Sequence, residues 1–303
     1  MLKFLRATAT LGFALIAGAA AAQADKPYEP RRGQHGKDVV WIATPDAGVD
    51  RMLQMADLRP GDRLVDLGSG DGKIAITAAR NYGVRARGLE YNPDLVALSQ
   101  RRAVEAGAAD KVEFIQADIF VSDFSQASVV TMYLLPELNL RLRPILFRMA
   151  PGTRVVSHSF TMGDWAPDEM SRTDTATLYL WRIPANVSGS WQLGAPGMAK
   201  VPRLLQLRQR LQVVEGEASY GALASSVQRP LLSGDTLSFG LRDPDGAMLG
   251  VQARIEGDRM QGTLTTAAGE VLRFEGRRSE PAGPVAGVVA SQAEIDAAAR
   301  VLN

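Results

Sequence analysis

The sequence predicts an α/β domain, built on a parallel sheet with helices on both faces, followed by a small antiparallel β domain. Three observations predict it. Between residues 63 and 157 five short apolar runs alternate with three helix-length stretches, the pattern of strands joined by crossover helices. After Pro184 the helical stretches stop, and short runs of alternating apolar and polar residues are divided by Gly and Asp. That is the pattern of a sandwich or small barrel. Finally, the first apolar run ends in an acid and three glycines, "VDLGSGDG", the form of a loop shaped around a ligand.

The elements follow in chain order. The chain opens with "MLKFLRATATLGFALIAGAAAAQA". Lys3 and Arg6 give a positive start, an apolar run follows, and Ala22 and Ala24 offer the small residues a signal peptidase reads. The run is shorter than the roughly 20 residues a membrane span needs. Residues 1–24 are therefore expected to be a signal peptide. The mature chain then starts near Asp25, is exported to the periplasm or secreted, and has no membrane span. Residues 25–45 form an N-terminal arm, polar from Asp25 to Asp38 with Pro27, Pro30, Gly33 and Gly36, in which His35 is solvated. Asp46 is read as the cap of a helix carrying Val49, Met52, Leu53 and Met55 on one side.

Strands are expected at 63–67, 86–90, 112–116, 128–132 and 153–157, and helices at 73–81, 93–107 and 137–149. A further strand at 175–184 has no comparable helix before it, so it enters antiparallel. These elements make a domain over 46–186. The β domain covers 187–278, and 279–303 are a linker and a short helix capped by Ser291.

Composition narrows the function. The 303 residues carry a net charge of +1, so no polyanion-binding field is expected. The absence of cysteine excludes disulfides, thiolate metal sites and a cysteine nucleophile. Two histidines, His35 and His158, are too few for a structural zinc site. No metal is expected.

Spacing narrows the loop. A Walker-type phosphate loop ends Gly-Lys-Ser/Thr, but Ile74 follows Gly72-Lys73 here. A dinucleotide loop needs G-x-G-x-x-G, and here the third glycine comes one residue early. The pattern is D-x-G-x-G-x-G, from Asp66 to Gly72. Asp71 lies inside it, which suits a cationic ligand better than a pyrophosphate.

"VDLGSGDGKIAI" resembles motif I of the class I S-adenosylmethionine-dependent methyltransferases, and "GLEYNP" and "QADIF" resemble their second and third motifs. The resemblance implies a Rossmann-like methyltransferase sheet and S-adenosyl-L-methionine as cofactor. It places Gly68, Ser69, Gly70 and Gly72 against the amino-acid part of that cofactor, with Asp66 orienting the ammonium group. It gives Glu90 the two ribose hydroxyls, Tyr91 a place near the adenine, Asp118 the adenine amino group and Ile119 a place along the ring. All these residues fall at C-terminal ends of expected strands, where open α/β sheets bind ligands.

The preceding "WIATPDAGVDRMLQMADLRPGDRL" resembles a subgroup containing protein lysine methyltransferases of the ATP-synthase c-subunit and adenine-nucleotide-translocase type, and exported bacterial methyltransferase-domain proteins. Ala43 stands where their P-T-P stretch begins. By that likeness Thr44 sits over the methyl end of the cofactor. The implied activity is N-methylation of a protein lysine. A small-molecule O- or N-methyltransferase and an exported non-catalytic module of the same fold are the alternatives. The D/N-P-P-Y/F motif of base methyltransferases is missing after the fourth strand, where "MYLLPE" stands, so nucleic acid is not expected as acceptor. Tyr133 is the candidate catalytic group there, with half-buried packing its other reading. Glu137 reads as a helix N-terminal carboxylate, and His158 as a structural residue or a general base. Trp165 and Trp181 read as packing groups. The β domain is expected to contact a protein, form a dimer or add stability.

Overall fold

A computed structural model of the protein describes residues 28–34, 41–194 and 200–300. The expected signal peptide, the cleavage site and His35 lie outside the described residues.

The first sheet has seven strands: β1 (Arg63–Leu67), β2 (Arg85–Glu90), β3 (Val112–Gln116), β4 (Val129–Met132), β5 (Arg154–His158), β6 (Glu169–Arg172) and β7 (Thr177–Arg182). Their order is β3-β2-β1-β4-β5-β7-β6. The first five are parallel, and β7 enters antiparallel against β5, as the missing crossover helix requires. The edge strand β6 was not expected. Its residues Glu-Met-Ser-Arg carry no alternation, and it exists because β7 offers it a free edge.

Helices cover both faces. On one side α1 (Asp46–Met55), α2 (Lys73–Tyr82) and α3 (Pro93–Glu105) bury Met52, Ile74 and Val96 against Leu64, Val129 and Val156. On the other, α4 (Pro136–Leu146) packs Leu138, Leu142 and Leu146 against Val65, Leu67, Val130 and Trp181. Each such fully buried side chain contributes about 1.5–3 kcal/mol. Trp165 and Trp181 are packing groups, as expected, with ring centroids 5.8 Å apart.

Local chemistry sets the helix ends. Asn92 accepts from the N–H groups of Asp94 and Leu95, and Pro93 takes the first helical position of α3. Gly107, at φ +65°, ends α3 earlier than expected: Ala108 N–H donates to Ala103 O across it. Asp46 is not a cap. Pro45 precedes α1 without a side-chain cap, and Asp46 is the first helical residue, paired with Lys73 at 2.8 Å. α5 (Gln292–Ala299) begins at Ser291, in a reciprocal capping box with Glu294.

The C-terminal region is one nine-stranded antiparallel sheet, barrel-like as one of the two expected forms and not a sandwich of two stacked sheets. Its strands are β8 (Gly189–Gly194), β9 (Leu204–Arg210), β10 (Val213–Ser219), β11 (Ala224–Ser226), β12 (Gln228–Ser233), β13 (Thr236–Arg242), β14 (Met248–Glu256), β15 (Arg259–Thr266) and β16 (Val271–Arg278). The order runs β11-β10-β9-β8-β16-β15-β14-β13-β12. The sheet curls so that its two edges nearly meet, where Val227 N–H donates to Gly216 O at 2.9 Å. Trp191, Leu205, Leu237, Met260 and Phe274 fill the inside.

The two sheets are joined by buried contacts. Leu211 belongs to the α4-side core. Arg143 of α4 is 1 % exposed. It donates to Val288 O at 2.9 Å, to Met162 O at 3.0 Å and to Asp164 at 2.6 Å, and Asp164 also binds Arg210 at 2.5 Å. Among the described residues no helix is long and apolar enough to cross a membrane.

Candidate active site

A cleft opens at the C-terminal ends of β1, β2, β3 and β4. It is lined by Thr44, Asp66, Gly68, Ser69, Gly70, Glu90, Tyr91, Asp118, Ile119 and Tyr133. Ten of the eleven expected site residues thus meet, from five separate segments of the chain.

Gly72 is the exception and does not line the cleft. It stands at the N-terminus of α2 with φ +80°. A Cβ there would lie 2.6 Å from Phe114 Cζ and 2.9 Å from Ser99 Cβ. Its missing side chain serves packing between the loop, α3 and β3. Gly68 and Gly70 face the cleft side, with φ +71° and +55°. A Cβ would strike Leu134 Cδ2 at 2.9 Å in the first and Trp41 Nε1 at 2.7 Å in the second. Ser69 contributes its backbone: its Oγ is buried without a partner, 2.6 Å from where a Cβ on Gly88 would stand.

Asp66 is 2 % exposed. Burial, with smaller contributions from the charges of Asp71 and Glu90, pushes its carboxyl up to about 7, against the hydrogen bond it accepts from Thr131. That bond is 2.7 Å long. A buried carboxyl among acids is stabilised by a cation placed beside it. Glu90 accepts from the N–H groups of Gly70 and Asn92, both at 2.9 Å, one on each oxygen. This fixes the carboxylate at the end of β2, with lone pairs left for a ligand. Asp118 accepts from Phe120 N–H at 2.9 Å in the turn after β3. Asp71 does not serve as the open anionic group that the loop sequence suggested. It is paired with Arg102 of α3, 31 positions away.

The lining also holds residues that sequence reasoning missed, among them Gln34, Trp41, Lys73 and Leu138. The apolar run "VVWIA" that interrupts the polar arm just before Thr44 was the available signal for Trp41. Lys73 donates to Thr44 O at 3.1 Å and so ties α2 to the arm.

Tyr133 is half-buried, with its ring centroid 4.1 Å from that of His158 and 6.3 Å from that of Phe160. His158 is 3 % exposed and lies behind Tyr133, outside the lining. Its Nδ1 is 2.9 Å from Ser159 Oγ, and burial lowers its pKa to about 4. It is therefore neutral at physiological pH and packs against Tyr133. Glu137 occupies the first turn of α4, as expected.

The residues present fit S-adenosylmethionine, a ligand with a net positive charge. Among the described residues, Asp66, Glu90, Asp118 and the Arg102-paired Asp71 line the cleft together with Lys73, and two glycines leave backbone where side chains would fill it.

A sheet of order 3-2-1-4-5-7-6 with a glycine loop after its first strand defines a class I methyltransferase. Comparisons with known proteins agree. The model of the ANTKMT methyltransferase domain matches residues 66–169. A protein-lysine N-methyltransferase of Saccharolobus islandicus is 37% identical over 151 residues, covering 48% of this chain and 94% of that protein. The lysine N-methyltransferase of the ATP synthase c-subunit from Rattus norvegicus is 34% identical over 138 residues, 45% of this chain and 63% of that one. A solved RNA methyltransferase from Salinibacter ruber, in complex with S-adenosyl-L-homocysteine, is 54% identical, with a TM-score of 0.47, covering 48% of this chain and 96% of that one. The chain thus spans nearly all of the archaeal relative but less than two thirds of the rat one. This chain belongs to the class I S-adenosylmethionine-dependent methyltransferases, and its cofactor is S-adenosylmethionine.

Proposed function

We propose that the protein N-methylates a lysine side chain of another protein. The observation that carries this is the convergence of Asp66, Glu90 and Asp118 from three strand ends on one cleft, with Thr44 and Tyr133 on the same lining. In this reading Asp66 meets the cofactor's ammonium group, Glu90 the ribose hydroxyls and Asp118 the adenine amino group. Tyr91 and Ile119 flank the adenine, and Gly68, Ser69 and Gly70 give the amino-acid part its floor. Thr44 and Tyr133 border the place of transfer and orient the incoming nitrogen. When bound, the cofactor supplies a methyl group activated by its sulfonium charge.

The chain's own contribution is alignment and exclusion of water. A lysine must be neutral to attack, and desolvation among Leu134, Leu138 and Tyr133 favours the neutral amine. Lysine as acceptor is supported by the archaeal and rat relatives, both named as lysine methyltransferases. Among the described lining residues carboxylates outnumber cations, which disfavours a polyanion such as RNA.

The test is transfer from isotopically labelled S-adenosylmethionine to a lysine-peptide library and to total RNA. Lysines heavier by one methyl group, located by mass spectrometry, are the expected result. Label in RNA alone would overturn the lysine reading, and label only in small amines would favour a small-molecule enzyme. Absence of cofactor binding by the wild type would point to a non-catalytic module. We further place the protein outside the cytoplasmic membrane because of its N-terminal segment. Fractionation that recovers the uncleaved chain in the cytosol would overturn that placement.

A further inference from the structure

We propose that the indole N–H of Trp41 holds the carboxylate of S-adenosylmethionine. The proposal rests on the reading that the amino-acid end of the cofactor lies against the glycine loop. It adds the group that receives the one negative charge at that end.

The need for such a group follows from the cleft's charge. Carboxylates dominate the described lining, so an anionic group on the ligand calls for a donor. Loop amides are the usual resource at the start of a helix, but here four of them are already engaged. Gly68 and Ser69 N–H both donate to Leu89 O, at 2.9 and 3.1 Å. Gly70 N–H donates to Glu90 at 2.9 Å, and Gly72 N–H to Ser69 O at 2.9 Å. Lys73 commits two of its three ammonium N–H groups, to Thr44 O at 3.1 Å and to Asp46 at 2.8 Å. The Gln34 amide nitrogen donates to Tyr28 at 2.6 Å.

Trp41 is placed differently. Its backbone is fixed to the arm, with Gly33 N–H donating to its carbonyl and its own N–H to Gln34 O, both at 2.9 Å. The indole lines the cleft and stands over Gly70, with Nε1 2.7 Å from the site a Cβ would occupy there. Among the described residues no acceptor takes its N–H. An indole N–H is a donor only. It is also uncharged, so it does not compete with the ligand's ammonium group for Asp66.

The experiment compares two ligands that differ by one group: S-adenosylmethionine and decarboxylated S-adenosylmethionine. Calorimetric titration of the wild-type chain and of Trp41→Phe reads the affinities. Phe keeps a ring over Gly70 and removes the donor. The expected result is S-adenosylmethionine binding weakened about tenfold by Trp41→Phe, the scale of a hydrogen bond to a charged group, with the decarboxylated ligand unchanged. Equal weakening of both ligands makes Trp41 a wall and overturns the proposal, as does no weakening of either. A wild type that binds neither ligand overturns the cofactor-site reading itself. The Trp41 indole resonance in the wild type gives a second measurement, independent of how the variant folds. It should shift on adding S-adenosylmethionine and much less with the decarboxylated ligand. Equal shifts would overturn the proposal.

Discussion

Cofactor affinity should depend on pH in a range where ordinary carboxylates no longer titrate. Asp66 carries the effect. Its pKa of about 7 in the free protein arises mainly from burial, and in the proposed pose the cofactor's ammonium group requires the ionised form. At pH 6 about one Asp66 in eleven is ionised and at pH 7 about half, so affinity should rise about fivefold over that unit. A carboxylate titrating near 4 would change it by about one per cent. The cofactor's own amino group titrates near 8 and stays largely protonated.

The sign for stability is opposite. A carboxyl whose folded pKa is raised stabilises the free protein most below its unfolded pKa, and that contribution is lost as pH rises through about 7. The free protein should therefore lose stability from this group between pH 4 and 7 while its cofactor affinity climbs. Thr131→Val removes the hydrogen bond that lowers the pKa and should move the midpoint to higher pH. Asp66→Asn should bind weakly and with no pH dependence in this range. Titration calorimetry at pH 6, 6.5 and 7 in matched buffers is the assay. A flat wild-type profile would refute the reasoning, because Asp66 would then be ionised already or would not meet the ammonium group.

Three further outcomes follow. Glu90→Gln should weaken S-adenosylmethionine binding by about 1–3 kcal/mol, the scale of hydrogen bonds to a charged acceptor, and unchanged affinity in calorimetry would remove Glu90 from the ribose. Gly72→Ala should lower stability by about 2–4 kcal/mol in denaturant titration, because strain at positive φ adds to the clash with Phe114 and Ser99. An unaltered midpoint would show that the loop repacks without cost. Arg143→Met should cost about 1–3 kcal/mol by leaving the buried Met162 O without its donor, and thermal unfolding reads it.

Much of this was legible in the sequence because the signals were local. Strands β1, β3, β4 and β5 each carry two or more Val, Leu or Ile residues and are bounded by turns, and an acid at a strand end is visible one residue at a time. Asp66, Glu90 and Asp118 could be placed together because a parallel sheet brings all its strand ends to one side. What was hidden depends on partners distant in the chain. Asp71 looked like an open acid because Arg102, a turn before the end of α3, carries no sign of where it points. Gly72 looked like its two neighbours, and only the approach of Phe114 separates its task from theirs. Strand β6 has no pattern of its own and is defined by its neighbour. The curl of the nine-stranded sheet is the accumulated twist of many strand pairs, which no single run of residues encodes.

Asp164 binds Arg143 on one side and Arg210 on the other, and Leu211 sits in the core beneath α4. This makes the boundary near residue 186 a topological one and not an energetic one. Cutting the chain there would strip a plug from the rear of the methyltransferase sheet and leave Arg143 without its Val288 acceptor. In a calorimeter the two halves should melt as a single peak, because neither can open its side of the seam without exposing the other's.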